Sequence, residues 1–253
     1  MKKYLSAFLR EKPFFFSIVR PKEVSLFQKY KPFKKPVLDL GCGDGFFAYV
    51  GFGKLNAGID PDKQATNEAS LRNVYNEIKD YDGRRIPYPD KYFSTIVSNS
   101  TLEHISNIDE VLKEASRVIR KDGMFYFTTV TDSWPEYLFG SLLLGNTYKN
   151  FFINKSKHYN MYSLSTWKKK LIKHGFNIIE SQHYLDNKKI LRIFDISHYL
   201  SIPSLFTKKF FNKWVLFPGK EKAFGKIKQF ILRETRADNI TGPYLFIAAK
   251  RIK

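Results

Sequence analysis

The chain has 253 residues, of which 43 are Lys or Arg and 24 are Asp or Glu, so its formal net charge is +19. With 43% apolar and 17% aromatic residues, its composition is that of a folded globular protein rather than of a disordered chain. The single cysteine, Cys42, excludes an internal disulfide framework and a cysteine-rich zinc site. The length fits one large domain, with or without an appendage.

The charge is distributed unevenly along the chain. Residues 1–36 carry 10 basic and 2 acidic side chains (net +8), residues 37–145 carry 11 and 16 (net −5), and residues 146–236 carry 19 and 5 (net +14). An acidic middle between basic segments is expected of a protein that meets an anionic partner, such as membrane lipid, nucleic acid or an acidic glycan. The alternative is a lysine-rich bias of the whole proteome, without functional meaning.

Membrane-spanning segments are not predicted, because the most apolar run, Leu138–Leu144, is far shorter than the roughly 18–20 residues of a spanning helix. The basic start of the chain imitates a signal peptide, but Arg10, Glu11 and Lys12 interrupt its apolar part. We expect residues 1–35 to remain in the mature protein as a basic amphipathic arm. The expected location is cytoplasmic, peripheral on the inner face of the membrane.

Strands and helices alternate from residue 36 onwards. The pattern predicts strands at 36–40, 55–59, 77–81, 92–98 and 124–130. It predicts helices at 46–53, 61–72 and 109–120, the last one ending at a turn over 121–123. Such alternation indicates a doubly wound, Rossmann-like α/β fold with a mostly parallel sheet.

The second half of the chain continues with a helix at 163–174 and a strand at 176–180. The predicted core therefore covers residues 36–185, including an apolar lid over 133–160. A basic, aromatic and partly helical insertion follows at 186–240, with a helix at 221–234. Residues 241–253 hold the last strand, which we expect to be antiparallel.

Glycines and carboxylates follow the predicted strands at the edge where such sheets bind ligands. Gly41, Gly43 and Gly45 form a turn after the first strand, and Asp60 ends the second. Glycine lets a ligand approach the backbone closely, and an acidic residue at the end of the second strand can bind two ribose hydroxyls. A nucleoside-bearing ligand is predicted. A dinucleotide fits less well, because Phe46 crowds the turn where pyrophosphate would bind.

Four strings in this order resemble class I S-adenosylmethionine-dependent methyltransferases, in particular the group often called type 11. They are Val37-Leu-Asp-Leu-Gly-Cys-Gly-Asp-Gly45, Gly58-Ile-Asp60, Ile86-Pro-Tyr-Pro-Asp-Lys-Tyr-Phe93 and Ser98-Asn-Ser-Thr-Leu-Glu-His-Ile105. The resemblance spans residues 36–130 and continues more weakly to Glu180. Two positions depart from the family, which usually has Asp at Ser94 and Ala at Gly83.

The resemblance implies S-adenosyl-L-methionine as the cofactor. It places Asp39 near the methionine ammonium group, Asp60 on the ribose hydroxyls and Asp82 on the adenine amino group. The full set of implied cofactor-binding residues is Asp39, Gly41, Cys42, Gly43, Gly45, Asp60, Pro61, Asp82, Gly83, Asn99 and Ser100.

Methyl transfer requires in-line positioning of the acceptor, and a general base only if the acceptor is a hydroxyl or a carbon acid. His104 and His158 are the candidate catalytic bases, because histidine titrates near neutral pH. Both also have a purely structural interpretation, in packing and hydrogen bonding. No metal site is predicted, since Glu103-His104 is not an H-E-x-x-H motif and no other cluster has ligand spacing.

The lid suggests an apolar acceptor, contacted by Trp134, Tyr137, Tyr159 and Tyr162. Together with the basic flanks, it predicts methylation of a small, lipid or lipid-linked glycan acceptor at a membrane surface. The first alternative is an RNA or other nucleic-acid methyltransferase that uses the basic C-terminal segment as a phosphate track. The second is a non-catalytic nucleoside-binding module.

Overall fold

Seven strands form one central sheet. In chain order they are β1 (Val37–Leu40), β2 (Leu55–Asp60), β3 (Tyr75–Asp80), β4 (Phe93–Asn99), β5 (Ile119–Val130), β6 (Phe176–Tyr184) and β7 (Tyr244–Arg251). Their spatial order is β3-β2-β1-β4-β5-β7-β6. Strands β1 to β5 pair in parallel, and β7 runs antiparallel to both neighbours. The structure is a computed structural model and describes residues 1–217, 224–236 and 241–252.

Helices cover both faces of the sheet. Within the described residues they are α1 (Lys2–Glu11), α2 (Phe14–Phe27), α3 (Phe46–Gly51), α4 (Lys63–Leu71), α5 (Ile108–Val118), α6 (Phe139–Ser156), α7 (Leu164–Lys173), α8 (Lys188–Leu200), α9 (Pro203–Phe211) and α10 (Gly225–Glu234). One face of the sheet packs on α2 and α8, and the other packs on α5 and α7. The predicted doubly wound, mostly parallel fold with an antiparallel strand β7 is confirmed.

The predicted turn over residues 121–123 is wrong, because strand β5 already begins at Ile119. Ile119 is fully buried and pairs with Phe93, and the next pair along the ladder is Thr95 with Met124. A bulge holds the extra residues, and Asp122 has a left-handed backbone there, with φ of 62°. Because Ile119 is buried and paired with β4, strand β5 includes residues 121–123, although their sequence resembles the end of a helix.

The first 27 residues pack onto the domain instead of extending from it. On α1, Leu5 and Leu9 contact Ile231 of α10, while Phe8 packs against Phe46. The apolar face of this helix is therefore buried within the protein. It is not available for the membrane contact that an amphipathic arm would make.

The basic segment before the last strand contains α8, α9 and α10. Of the helix predicted at 221–234, the part Gly225–Glu234 is observed, and residues 221–223 lie outside the described residues. Among the residues that the structure describes, no helix is long and apolar enough to cross a lipid bilayer.

Candidate active site

The carboxyl ends of β1 to β5 meet at one edge of the sheet, and the strand order reverses between β1 and β4. Ligands of doubly wound sheets bind at such a reversal. The glycine turn follows β1 directly. A Cβ on Gly41, whose φ is 80°, would lie 2.2 Å from Cγ2 of Thr101, whereas one on Gly43, with φ of 51°, would meet no atom within 4 Å. The turn is thus tight on its inner side and open where a ligand can approach.

Two carboxylates stand behind the turn. Asp39 is buried and accepts a hydrogen bond of 2.6 Å from the hydroxyl of Tyr75, and burial raises the pKa of Asp39 to about 7. Asp60 accepts backbone hydrogen bonds from Gly43 (2.8 Å) and Asp62 (3.0 Å), and burial raises its pKa as well. A cationic ligand would stabilise the charged form of both groups.

The remaining predicted cofactor residues lie along the same edge. Cys42 is buried in the turn, Gly45 is the N-cap residue of α3, and Pro61 is exposed after β2. Asp82 is exposed and accepts a hydrogen bond from the backbone of Arg84, and Gly83 beside it has open space around its Cα. Asn99 and Ser100 follow β4.

Glu23 of α2 ties Asn99 and Ser100 to the rest of the site. This fully buried carboxylate accepts hydrogen bonds from Asn99 Nδ2 (2.8 Å) and Ser100 Oγ (3.0 Å). It also accepts from Arg20 Nη1 (2.7 Å) and the hydroxyl of Tyr184 (2.9 Å). The sequence analysis did not identify Glu23, which is separated from its partners on β4 by more than seventy residues.

A cavity of about 430 Å³, the turn cavity, lies beside the glycine turn. Its walls include Gly43 and residues of α4. They also include residues in or just after α1, α2 and α9, namely Phe8, Lys12, Phe16, Arg20, Lys208 and Trp214. Lys12 forms an ion pair with Asp44 inside the glycine motif. The N-terminal helices thus roof this cavity, which the predicted arm did not anticipate.

A second cavity of about 460 Å³, the aromatic cavity, lies beyond the ends of β4 and β5. It shares Phe16, Arg20 and Trp214 with the turn cavity. Nearly half of its remaining lining residues are aromatic or histidine, including Phe15, Trp134, Phe152, Phe194, His198 and Tyr199. Of the four predicted acceptor residues, only Trp134 lines it. Tyr137 instead bonds Asp186, Tyr159 is half exposed, and Tyr162 bonds Asn160.

The structure brings His104 and His158 together with Glu103 in the wall of the aromatic cavity. The two imidazole centroids are 4.5 Å apart, and one ligand-type atom from each of the three residues lies within 4.8 Å of the other two. Nδ1 of His104 faces the carbonyl oxygens of Ser156 (3.0 Å) and Lys157 (3.3 Å), so it carries the proton and Nε2 keeps a free lone pair.

Desolvation sets the protonation of this cluster, in which Glu103 is buried, His158 is half-buried and His104 is partly exposed. It lowers the pKa of His104 and brings that of His158 down to about 3, so both rings are neutral at pH 7. It also raises the pKa of the Glu103 carboxyl, which is 2% exposed, to about 8. Oε2 of Glu103 has no hydrogen-bond partner among the described residues. Glu103 is therefore the member of the cluster whose pKa is raised above neutral pH.

The same three groups are of the types that bind divalent metal ions. In a tetrahedral zinc site, ligands at about 2.1 Å from the ion stand roughly 3.4 Å from one another. The ligand atoms of this cluster all lie within 4.8 Å of one another, a limit that a zinc site also meets.

Comparison with known proteins identifies the family. A family model described as a methyltransferase domain matches residues 10–181, more than half of the chain. This chain belongs to the class I S-adenosylmethionine-dependent methyltransferases. The resemblance stated from the motifs is confirmed, and S-adenosylmethionine is the cofactor of this methyltransferase. The residues of the glycine turn and of the strand ends beside it fit S-adenosylmethionine. The backbone at Gly43 is open to a ligand, and the carboxylates of Asp39 and Asp60 suit its cationic groups and its ribose hydroxyls.

The similar proteins act on different acceptors. Ubiquinone biosynthesis O-methyltransferase of Pelagibacter ubique is 30% identical over 118 residues, 43% of this chain and 48% of that protein. Fatty-acid O-methyltransferase of Mycolicibacterium smegmatis is 30% identical over 114 residues, 41% of this chain and 39% of that protein. The methyltransferase thus spans about half the length, or less, of these curated relatives.

Solved structures share the fold at low identity. A Thermotoga maritima S-adenosylmethionine-dependent methyltransferase has a TM-score of 0.59 at 17% identity, covering 94% of this chain and 91% of that one. Phosphoethanolamine N-methyltransferase 2 of Haemonchus contortus, in complex with S-adenosylmethionine, has a TM-score of 0.58 at 17% identity, covering 92% of this chain and 53% of that one.

Asp60→Ala is expected to weaken binding of S-adenosylhomocysteine to the methyltransferase by about 1–3 kcal/mol, because charge-assisted hydrogen bonds to the ribose are lost. Isothermal titration calorimetry measures this. The matched control is Asp122→Asn, which removes an exposed carboxylate on β5, outside both cavities, and leaves the affinity unchanged. Equal affinities of the Asp60→Ala variant and the wild type would show that Asp60 does not contact the cofactor.

Proposed function

We propose that this methyltransferase transfers the methyl group to an oxygen of an apolar acceptor bound in the aromatic cavity. The observation that carries the proposal is the cluster of Glu103, His104 and His158 in the wall of that cavity, beside Ser100 at the end of β4. A base is needed when the nucleophile is a hydroxyl, and these are the titratable side chains grouped there. The names of the relatives with O-methyltransferase activity support the choice of oxygen.

In the proposed reaction, S-adenosylmethionine supplies an electrophilic methyl group on a sulfonium centre. Asp39 and Asp60 would hold its cationic and ribose portions at the glycine turn, beside the turn cavity. Phe16, Arg20 and Trp214 line both this cavity and the aromatic cavity. The aromatic wall excludes water from the acceptor and orients it in line with the methyl group.

The proton of the acceptor hydroxyl passes to the cluster as the oxygen is methylated. Glu103 is the proposed acceptor of that proton, because a base is most efficient when its pKa lies near the operating pH, and the pKa of Glu103 is raised to about 8. The neutral rings of His104 and His158 lie beside the hydroxyl and position it, while its single O–H donates to Glu103. The sequence analysis assigned the base to the histidines, and the structure favours their neighbour.

The residues that line the aromatic cavity indicate the chemical class of the acceptor. Trp134, Phe152 and Phe194 are buried aromatic residues of the cavity, which favours a lipid or a lipid-linked glycan met at a membrane surface. Nucleic acid is the alternative. It would need exposed aromatic side chains for base stacking along a basic groove, whereas these rings lie inside the domain.

Incubation with methyl-labelled S-adenosylmethionine and a cell extract tests the proposal. We expect label in the organic phase, in a product whose methyl group is lost on ether cleavage or on ester hydrolysis. Label confined to nucleic acid, or to methylated amines, would overturn it. Tight cofactor binding without label in any fraction would instead indicate the non-catalytic nucleoside-binding module.

A further inference from the structure

Helix α9 and its flanks present an apolar surface to solvent. No residue of α9 is buried. Phe206 and Phe210 on the helix, Leu200 before it and Phe217 after it are exposed by 63%, 71%, 75% and 90%. We call these four residues, with Phe211, the α9 face. Large side chains that remain this exposed together mark a surface with a partner.

The charged side chains of the segment that carries the α9 face are almost all basic, although Lys208 of α9 pairs with Glu68 of α4. Residues 187–217 contain six basic side chains and a single acidic one, Asp195. Asp195 is buried and accepts hydrogen bonds from the backbone of Gly140 and from Tyr148, so it does not reach this surface. Lys209 and Lys213 are exposed beside the aromatic rings. Phenylalanines flanked by lysines match a bilayer that has anionic headgroups over an apolar interior.

The mouth of the aromatic cavity opens at the same place. Ile202 and Leu205 line the cavity, yet they are exposed by 47% and 57%, so they form its rim. Leu205 lies on α9 next to Phe206. Across the rim, Lys155 of α6 lies over the ring of Tyr199 at 5.1 Å and also lines the cavity.

We propose that the α9 face docks on an anionic lipid bilayer, which places the mouth of the aromatic cavity at the membrane surface. The proposal rests on the proposed function, since it gives an apolar acceptor a route from the bilayer to the site. Phe206 and Phe210 enter the headgroup boundary, and Lys209 and Lys213 contact lipid phosphates. The N-terminal helix is not the anchor, because its Leu5 and Phe8 are buried.

Vesicle flotation with the full chain tests the docking. We expect the protein to float with phosphatidylcholine vesicles that contain about one third phosphatidylglycerol, and not with phosphatidylcholine alone. The double variant Phe206→Ser/Phe210→Ser is expected to bind at least about tenfold more weakly. In Lys209→Gln/Lys213→Gln, the affinity for anionic vesicles is expected to fall about fivefold per lysine. At high salt this difference from the wild type should disappear. Because all four side chains are exposed, the thermal midpoints should stay unchanged.

Matched controls replace exposed side chains elsewhere on the fold. Ile172→Ser/Ile179→Ser removes two exposed apolar residues of α7 and β6, and Lys168→Gln/Lys169→Gln removes two exposed lysines of α7. Neither control should change vesicle binding. Absence of binding to anionic vesicles, or equal losses in the test and control variants, would overturn the docking proposal.

Two other partners would also overturn it. The α9 face would be an interface between copies if the wild type sedimented as a dimer and Phe206→Ser/Phe210→Ser as a monomer. It would be a nucleic-acid surface if single-stranded RNA bound in place of vesicles and the same variant lost that binding. Methyl transfer to lipid in a detergent-dispersed extract does not require docking on a bilayer. Label in the organic phase of that extract therefore tests the proposed function independently of the docking proposal.

Discussion

Glu103→Gln is expected to lower turnover by about 10²–10⁴-fold while leaving the affinity for S-adenosylhomocysteine unchanged. The amide keeps the shape of the side chain but cannot accept the proton of an acceptor hydroxyl. Initial rates of label transfer to the organic phase measure the change, and calorimetry measures the affinity. His104→Ala and His158→Ala should also slow turnover without weakening cofactor binding, because both rings lie in the aromatic cavity.

The pH profile separates a proton acceptor from a structural residue. The carboxyl of Glu103 must lose its proton before it can act, so the wild-type rate should rise as the pH increases through the pKa of about 8. In Glu103→Gln this rise should disappear. His183→Ala is the matched control, since this histidine bonds the carbonyl of Gly242 and lies outside both cavities.

Two results would contradict the assignment of Glu103. One is a Glu103→Gln variant with full activity at every pH. The other is loss of wild-type activity on dialysis against a chelator and its recovery with a divalent ion, which would make the cluster a metal site.

Glu23→Ala is expected to lower the free energy of unfolding by about 3 kcal/mol, because it leaves the charge of Arg20, whose side chain is only 22% exposed, without its carboxylate partner. Asn99, Ser100 and Tyr184 lose an acceptor at the same time. Urea denaturation followed by circular dichroism measures this loss. We also expect weaker cofactor binding, since the hydrogen bonds of Glu23 no longer join α2 to the end of β4.

Glu11→Ala is the matched control for Glu23→Ala. Glu11 pairs with Arg72 at 3.4 Å, but it is half exposed, and removal of an exposed pair costs at most about 1 kcal/mol. If Glu23→Ala destabilised the protein no more than Glu11→Ala does, the buried network would not hold α2 to the sheet.

The sequence predicted the sheet well where local signals were strong. Short apolar runs bounded by glycine or aspartate located β1, β2 and β4 to within about one residue. Strand β6 extends to Tyr184 rather than ending at Glu180, because Ser181 and Gln182 stay in the sheet by pairing with β7 rather than by their own propensity. Helix α9 was not predicted, although Pro203 occupies the first turn, as proline does at many helix starts.

The residues of the candidate site were likewise predictable only where they lie close together in the sequence. The glycine turn and its carboxylates come from contiguous strings, so a resemblance could locate them. Glu103 stands in one of those strings, beside His104, but its raised pKa results from burial that a sequence does not display. Arg20 and His198 come from α2 and α8, which are distant in sequence from those strings, and only the packing of these two helices brings them to the wall of the aromatic cavity.

The shared wall of Phe16, Arg20 and Trp214 has a consequence for the order in which ligands bind. Each of these side chains faces both cavities, so a ligand in one cavity fixes part of the boundary of the other. The two binding equilibria are therefore linked, and each ligand changes the affinity for the other by the same factor. In-line transfer already requires both ligands to be bound together, and a favourable linkage means that the first ligand to bind raises the affinity for the second.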